Sequence, residues 1–287
     1  MDVPFNAINE THRKVVTYKY NPSIGDHDVD KGEHGDHGTH CAGLALASSP
    51  SDLSAEGVAP GAKVAFHDIT AGETLGAVPD DLSVAYFGWG ARAGARVSSN
   101  SWGANYDPEY FSHSEYDLQS SQIDQFSTAL TDFLVLVAAG NDGANGLGSV
   151  GIPAMCKNCF SVGASQGAAI DVLSGFSSRG PARDGRIKPD VVAPGEGVTS
   201  VHSDLTDSTC PVRVSSGTSQ ATPTVAGSAA IVRPSAQQSS RSDKYIHVRI
   251  LEKMCEKSMY HDKIQKNILA EYRLDFPTWG YLEFWHK

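Results

Sequence analysis

Three short segments carry residue types suited to proton transfer and to holding a negative charge. In Asp36-His37-Gly38-Thr39-His40-Cys41-Ala42-Gly43, a histidine followed by small residues stands where a loop runs into a helix. Such a position can turn an imidazole into a cleft, and histidine is the side chain whose ordinary pKa suits proton shuttling near neutrality. The plainer reading is a His-rich loop, since five of the eleven histidines fall within the first 40 residues. In Ser216-Gly217-Thr218-Ser219-Gln220-Ala221-Thr222-Pro223, a serine opens an Ala-rich helix, where free N–H groups and the positive dipole end can steady an oxyanion. The plainer reading there is an N-cap serine. In Ala138-Ala139-Gly140-Asn141-Asp142-Gly143, an amide closes an apolar run and can donate into a cleft, or can simply occupy a Gly-flanked turn.

The elements that must position these residues follow from pattern. Short apolar runs read as strands at Val15–Tyr20, Lys63–Ile69, Arg96–Ser101, Phe133–Ala139, Cys159–Gly163 and Val191–Ala193. Between them, helical spacing covers the HGTHCAG segment through Ala47, Asp80–Ala93 with Asp80 or Asp81 as N-cap, Gln119–Thr131, and Thr222–Val232 with Pro223 in its first turn. Strands alternating with helices predict an α/β fold, a mostly parallel, doubly wound sheet in a three-layer αβα arrangement. Chemistry in such sheets gathers at the carboxyl ends of the strands.

Composition narrows the class further. The 287 residues hold 23 Lys and Arg against 33 Asp and Glu, a balance that argues against nucleic acid as the main partner. No apolar run reaches the roughly 18–20 residues that span a bilayer. No basic or apolar leader follows Met1, so no signal peptide is visible and the compartment is left open. The glycines are unevenly placed: 27 of 28 precede residue 234, and only Gly280 follows. Charge shifts at the same place, from 14 basic and 26 acidic side chains to 9 and 7. The chain therefore divides into a domain over 1–233 and a divergent, basic, helix-prone tail over 234–287.

Taken together, the three segments are no longer independent. HGTHCAG, AAGNDG and SGTSQATP resemble the His, oxyanion-Asn and Ser blocks of the subtilisin-like serine proteases. Ser99-Asn100-Ser101-Trp102-Gly103, Gly57–Ala62 (GVAPGA) and Phe176–Gly195 (FSSRGPARDGRIKPDVVAPG) match further blocks, in the family's order, over roughly residues 5–233. Unrelated serine proteases order their triads differently along the chain. The resemblance implies a serine endopeptidase in which Ser219 is the nucleophile, His37 the general base and His40 structural. It implies that Asn141 and the Ser219 N–H form the oxyanion hole. It further implies that Ser101, Trp102 and Gly103 pair with an extended substrate, while Ala138, Ala139 and Gly140 line the S1 wall. The alternative for Trp102 is core packing. Protein or peptide substrates follow from the same resemblance, with no required cofactor. A structural calcium ion is allowed, its ligands unassigned, and family members are often secreted.

The match departs from the family at two places. The third triad member should be an Asp in an Asp-Ser/Thr-Gly turn after a buried strand, and no such motif occurs here. Asp2 precedes His37 by 35 residues but is followed by Val-Pro and has no strand before it, so it is not assigned. The expectation is a chain that starts just after the Asp block, its sheet short of at least one N-terminal strand. A truncated chain of little turnover, acting as a binding module, is the alternative. The second departure is the tail, where Ile246, Ile250, Leu251 and Met254 recur at helical spacing. Its simplest reading is a helix packed on the domain, or sequence never selected to fold with it.

Three minor motifs carry less. Asp26-His27-Asp28-Val29-Asp30-Lys31-Gly32 lacks the glycine position and closing Glu of a calcium loop. Cys156 and Cys159 have CxxC spacing without a second pair for zinc, which suggests a surface-loop pair or a disulfide. Asn9-Glu10-Thr11 is a glycosylation sequon.

Overall fold

The computed structural model describes residues 8–9, 11–20, 36–48, 56–71, 74–75, 78–104, 116–167, 171–202 and 211–237. The calcium-like segment at 26–32 and all but the first residues of the tail lie outside them. Strands β1 (Val15–Lys19) and β2 (Val64–His67) pair in parallel, after helix α1 (His37–Leu46) has carried the chain between them. A small antiparallel pair, β3 (Thr70–Ala71) and β4 (Thr74–Leu75), leads into a π-helical turn over Leu82–Phe87 and the short helix α2 (Gly88–Arg92). Then β5 (Val97–Asn100), β6 (Leu134–Ala138), β7 (Phe160–Gln166) and β8 (Val191–Glu196) form a second sheet, parallel throughout and in chain order, with α3 (Leu118–Ala129) crossing from β5 to β6. Strands β9 (Val198–Val201) and β10 (Val212–Ser215) make an antiparallel pair, and α4 (Thr218–Gln237) closes the domain.

Strand β6 explains the layering. Successive side chains of a strand point to opposite faces. Leu134 and Leu136 therefore pack with Val162, Ala193 and the α4 residues Ala221, Val225 and Ala229. Val135 and Val137 pack on the other face with Phe87, Ile123, Phe126 and Met155. A run that is apolar at every position is what a strand covered on both faces requires. Each such side chain, buried in full, contributes on the order of 1.5–3 kcal/mol.

Helix starts are fixed by caps. Asp81 accepts from the Ser83 and Val84 N–H groups at 2.8 and 3.2 Å, opening the π-helical turn. Asp117 accepts from Gln119 and Ser120 at 3.2 and 2.8 Å, two residues ahead of the Gln119 at which the spacing began α3. Two expectations need correction. Helix α4 runs to Gln237, so it crosses the compositional boundary at 233 instead of ending there. Cys156 and Cys159 are joined by a disulfide with Cα atoms 5.6 Å apart, but both are buried in the α3-side core, not on a surface loop.

Candidate active site

His37 is the first residue of α1 and Ser219 the second of α4, so both stand at helix N-termini. The two helices pack side by side. Between them lies Cys41, one turn after His37 on α1, with its sulfur 3.9 Å from His37 Nε2 and its S–H donating to the Ser219 carbonyl at 3.3 Å. Burial pushes the Cys41 thiol up to about 12, so it stays protonated and serves as packing and spacer. The Ser219 hydroxyl donates to the Ser101 carbonyl at 3.3 Å, and the Ser101 hydroxyl returns a bond to the Ser219 carbonyl at 2.7 Å. That exchange ties the carboxyl end of β5 to the start of α4.

Asn141 follows β6, and its orientation is set from α4. Its side-chain oxygen accepts from the Thr218 N–H at 2.8 Å and the Thr218 hydroxyl at 3.1 Å. With the oxygen so held, the amide NH₂ faces the other way, beside Gly217. The neighbouring helix donors are spent: Gln220 and Ala221 donate to the Gly217 carbonyl at 3.1 and 3.4 Å. Among the described residues the Ser219 N–H has no such partner. Two donors thus remain at the N-terminus of a long helix, whose dipole favours a developing negative charge.

One cavity of about 1050 Å³ is lined by His37, Ser101, Trp102, Gly103, Ala138, Gly140, Asn141 and Ser219. Ala139 is the exception. Its methyl is fully buried in the α3-side core, so it backs the wall and does not line it. Alternation along β6 makes this unavoidable once Ala138 and Gly140 face the cavity. Gly140 has φ +105°, and a Cβ there would lie 2.9 Å from the Ser178 hydroxyl, so the turn into Asn141 requires glycine. A Cβ on Gly103 would come within 2.7 Å of the Ile152 carbonyl, which keeps that stretch of backbone bare. Trp102 is anchored by its indole N–H, which donates to the Tyr86 hydroxyl at 3.0 Å, and it packs against the core. Its side chain is therefore structural in large part, although the residue also borders the cavity.

A cluster beside His37 was not legible in the sequence. The Asp36 carboxylate, 3% exposed, pairs with Arg213 Nη2 at 2.5 Å and with His202 Nδ1. Both partners belong to the β9–β10 pair and its flank, so that hairpin clamps the start of α1. His40 is fully buried, and its Nε2 lies 3.2 Å from the Arg213 carbonyl. Desolvation holds its pKa below the usual histidine value, leaving it neutral. Among the described residues no group of three or more His, Cys, Asp or Glu is arranged to hold a metal ion. Nor is any helix among them long and apolar enough to cross a membrane.

Comparison with known proteins decides the family. The profile of the Subtilase family matches residues 6–265, running past Arg233 into the tail. The chain belongs to the subtilase family. It is 31% identical to the serine protease/ABC transporter B family protein tagB of Dictyostelium discoideum, over 80% of this chain and 16% of that one. It is 31% identical to subtilisin Savinase of Lederbergia lenta over 69% of this chain and 62% of the relative. It is 29% identical to the serine protease AprX of Bacillus subtilis, over 68% and 48%. The chain thus spans only a small part of the longest of these relatives. The prenylagaramide maturation protease PagA has the same fold, with a TM-score of 0.59 and 22% identity over 85% of this chain and 78% of that one. So does the CspB protease of Clostridium perfringens, with a TM-score of 0.61 and 19% identity over 73% and 72%. The subtilase α/β fold of serine proteases is therefore established for this chain.

Proposed function

We propose that this subtilase domain is a serine endopeptidase acting through an acyl-enzyme on Ser219. The observation that carries the reading is the fixed Asn141 amide beside a spare Ser219 N–H at the N-terminus of α4. An extended peptide lies along Ser101–Gly103, its scissile carbonyl oxygen between these two donors. Ser219 Oγ attacks the carbonyl carbon while His37 takes the hydroxyl proton. As the tetrahedral species collapses, the C–N bond breaks and His37 returns the proton to the leaving amine. Water, deprotonated by the same imidazole, then releases the acid and frees Ser219. Ala138 and Gly140 give an uncharged wall beside the residue preceding the cut.

A second reading has its own support. The sequence holds no Asp-Ser/Thr-Gly turn, and in a subtilisin loss of the triad Asp alone costs on the order of 10⁴ in turnover. A subtilase domain of low turnover that retains peptide in its cleft fits that absence. A fluorophosphonate, which captures a serine activated for attack, separates the two: covalent labelling of Ser219 supports the endopeptidase, and an unlabelled folded chain supports the binding module.

A further inference from the structure

One motif outside the cleft carries chemistry that proteolysis does not use. An asparagine amide accepts a glycan when a serine or threonine hydroxyl stands two residues later and no proline intervenes. Asn9-Glu10-Thr11 is the one triplet in the chain that meets this rule. Asn21 is followed by Pro-Ser, so its proline bars it, and Asn100 is followed by Ser-Trp, with the hydroxyl one place early.

The structure sets Asn9 in a turn that leads into β1. Its backbone N–H donates to the Val16 carbonyl at 2.7 Å, and its carbonyl accepts from the His12 N–H at 3.2 Å. The side-chain oxygen accepts twice from the motif itself, from the Thr11 hydroxyl at 2.7 Å and the Thr11 N–H at 3.1 Å. Among the described residues the amide nitrogen Nδ2 has no partner, so the half of the side chain that would be modified is the half left over. Ile8 and Thr11 are exposed on either side of the half-buried Asn9. The imidazole of His12 finishes the turn by accepting from the Lys14 and Val15 N–H groups at 3.2 and 2.9 Å. All these bonds fall within residues 9–16, so the turn needs no distant partner to form.

Two further observations bear on the motif. Strand β1 runs away from the turn and parallel to β2, with Val15 opposite Val64 and Lys19 opposite His67. The His67 ring is 5.0 Å from that of Tyr86, which is 5.9 Å from that of Trp102 at the cleft. Asn9 therefore stands at the amino end of this strand pair and the cleft at its carboxyl end, so a bulky group on Asn9 leaves the cleft open. Independently, Cys156 and Cys159 are joined as a disulfide, a bond that persists in oxidising compartments and is rare in the cytosol. Those compartments include the one where asparagine glycans are attached.

We propose that Asn9 is an N-glycosylation site and that the chain matures in an oxidising secretory compartment. The donor is a lipid-diphosphate-linked oligosaccharide, acted on by a membrane-bound transferase. Asn9 Nδ2 attacks the anomeric carbon, the bond from that carbon to the diphosphate oxygen breaks, and a C–N bond forms. The amide proton passes to a base of the transferase, and the lipid diphosphate leaves. The glycan projects from the turn into solvent and does not depend on the role of Ser219.

The deciding measurement takes the full chain from the cells that naturally make it and treats it with peptide N-glycosidase in heavy-oxygen water. Release of a glycan converts its asparagine to a heavy-oxygen-labelled aspartate, and peptide mass mapping should find that label at position 9 alone. An unmodified Asn9, or Cys156 and Cys159 recovered as thiols, overturns the proposal. Variants of the full chain, directed into the secretory path of a eukaryotic host, locate the acceptor. Asn9→Gln and Thr11→Ala should lose the glycan, whereas Thr11→Ser keeps the hydroxyl and should retain it. A glycan that survives Asn9→Gln also overturns the site. Fluorophosphonate labelling should be the same in Asn9→Gln as in the parent, so loss of the glycan and failure of the proposed endopeptidase are read separately.

Discussion

Cys41 and His37 lie one helical turn apart on α1, and the Cys41 sulfur sits 3.9 Å from His37 Nε2. The same thiol donates to the Ser219 carbonyl, so one small side chain sets the spacing between the proposed base and the proposed nucleophile. Placed between such groups, a cysteine invites comparison with a reactive thiol, but burial lifts its pKa to about 12. At neutral pH almost no thiolate forms, and iodoacetamide needs the thiolate. The native chain should therefore leave the Cys41 peptide unmodified, while the urea-unfolded chain is alkylated there. Peptide mass mapping reads the difference, and rapid native alkylation at Cys41 would contradict the burial argument.

Asn141 has two jobs that substitution can separate. Its oxygen caps the Thr218 N–H, and its NH₂ is the proposed oxyanion donor. Asn141→Asp keeps an acceptor for Thr218 and removes the donor. The expected result is an unfolding free energy within about 0.5 kcal/mol of the parent. Peptide hydrolysis should fall by on the order of 10²–10³, the cost of losing one oxyanion donor in a subtilisin. Asn141→Ala loses the cap as well and should also destabilise the fold by about 1 kcal/mol.

Much of this architecture can be read from sequence, because FLVLVAA announces a strand covered on both faces and glycine-bounded blocks mark its neighbours. The places of Ser219 and Asn141 at element ends were legible for a related reason: both sit in short local motifs. The start of α4 was not. Spacing placed it at Thr222, whereas the helix begins at Thr218, whose N–H is capped by an amide 77 residues away in the chain. The β9–β10 pair was missed in the same way. Its strands are short and its Asp36 contact with His202 spans 166 residues, so no local pattern carries it. The wall residue Ala139 fails by parity alone, since one step along β6 exchanges cavity for core.

The Asp36 clamp makes a stability prediction. Arg213→Met leaves the Asp36 carboxylate, only 3% exposed, with His202 as its remaining partner, and the loss should cost up to roughly 3–5 kcal/mol, the range for breaking a buried pair. Arg213→Lys, which keeps the charge but loses the planar fork, should recover part of that loss. Urea denaturation of the two variants decides it. Equal stability of Arg213→Met and the parent would mean the clamp carries nothing.

Acid should weaken the fold through two histidines. Desolvation, helped by Lys19, lowers the His67 pKa to about 4, and desolvation also lowers that of His40. Both are neutral in the folded chain, whereas the unfolded chain takes up protons near 6.5. The unfolded state therefore binds more protons between about pH 6.5 and about pH 4, and stability falls as pH drops through that window. Each group adds at most about 1.4 kcal/mol per pH unit to the slope. His67→Phe preserves ring packing on Tyr86 and Trp89 and should flatten the slope measured by urea titration at several pH values. An unchanged slope would contradict the assignment to His67.

The central claim, that Ser219 is an activated nucleophile, is tested most directly by treating the full chain with a fluorophosphonate probe at neutral pH and mapping the modified peptide. The prediction is a single label on Ser219, absent in Ser219→Ala and sharply reduced in His37→Ala, with all three proteins folded by circular dichroism. A folded chain that carries no label on Ser219, or a label that survives Ser219→Ala unchanged, would contradict it.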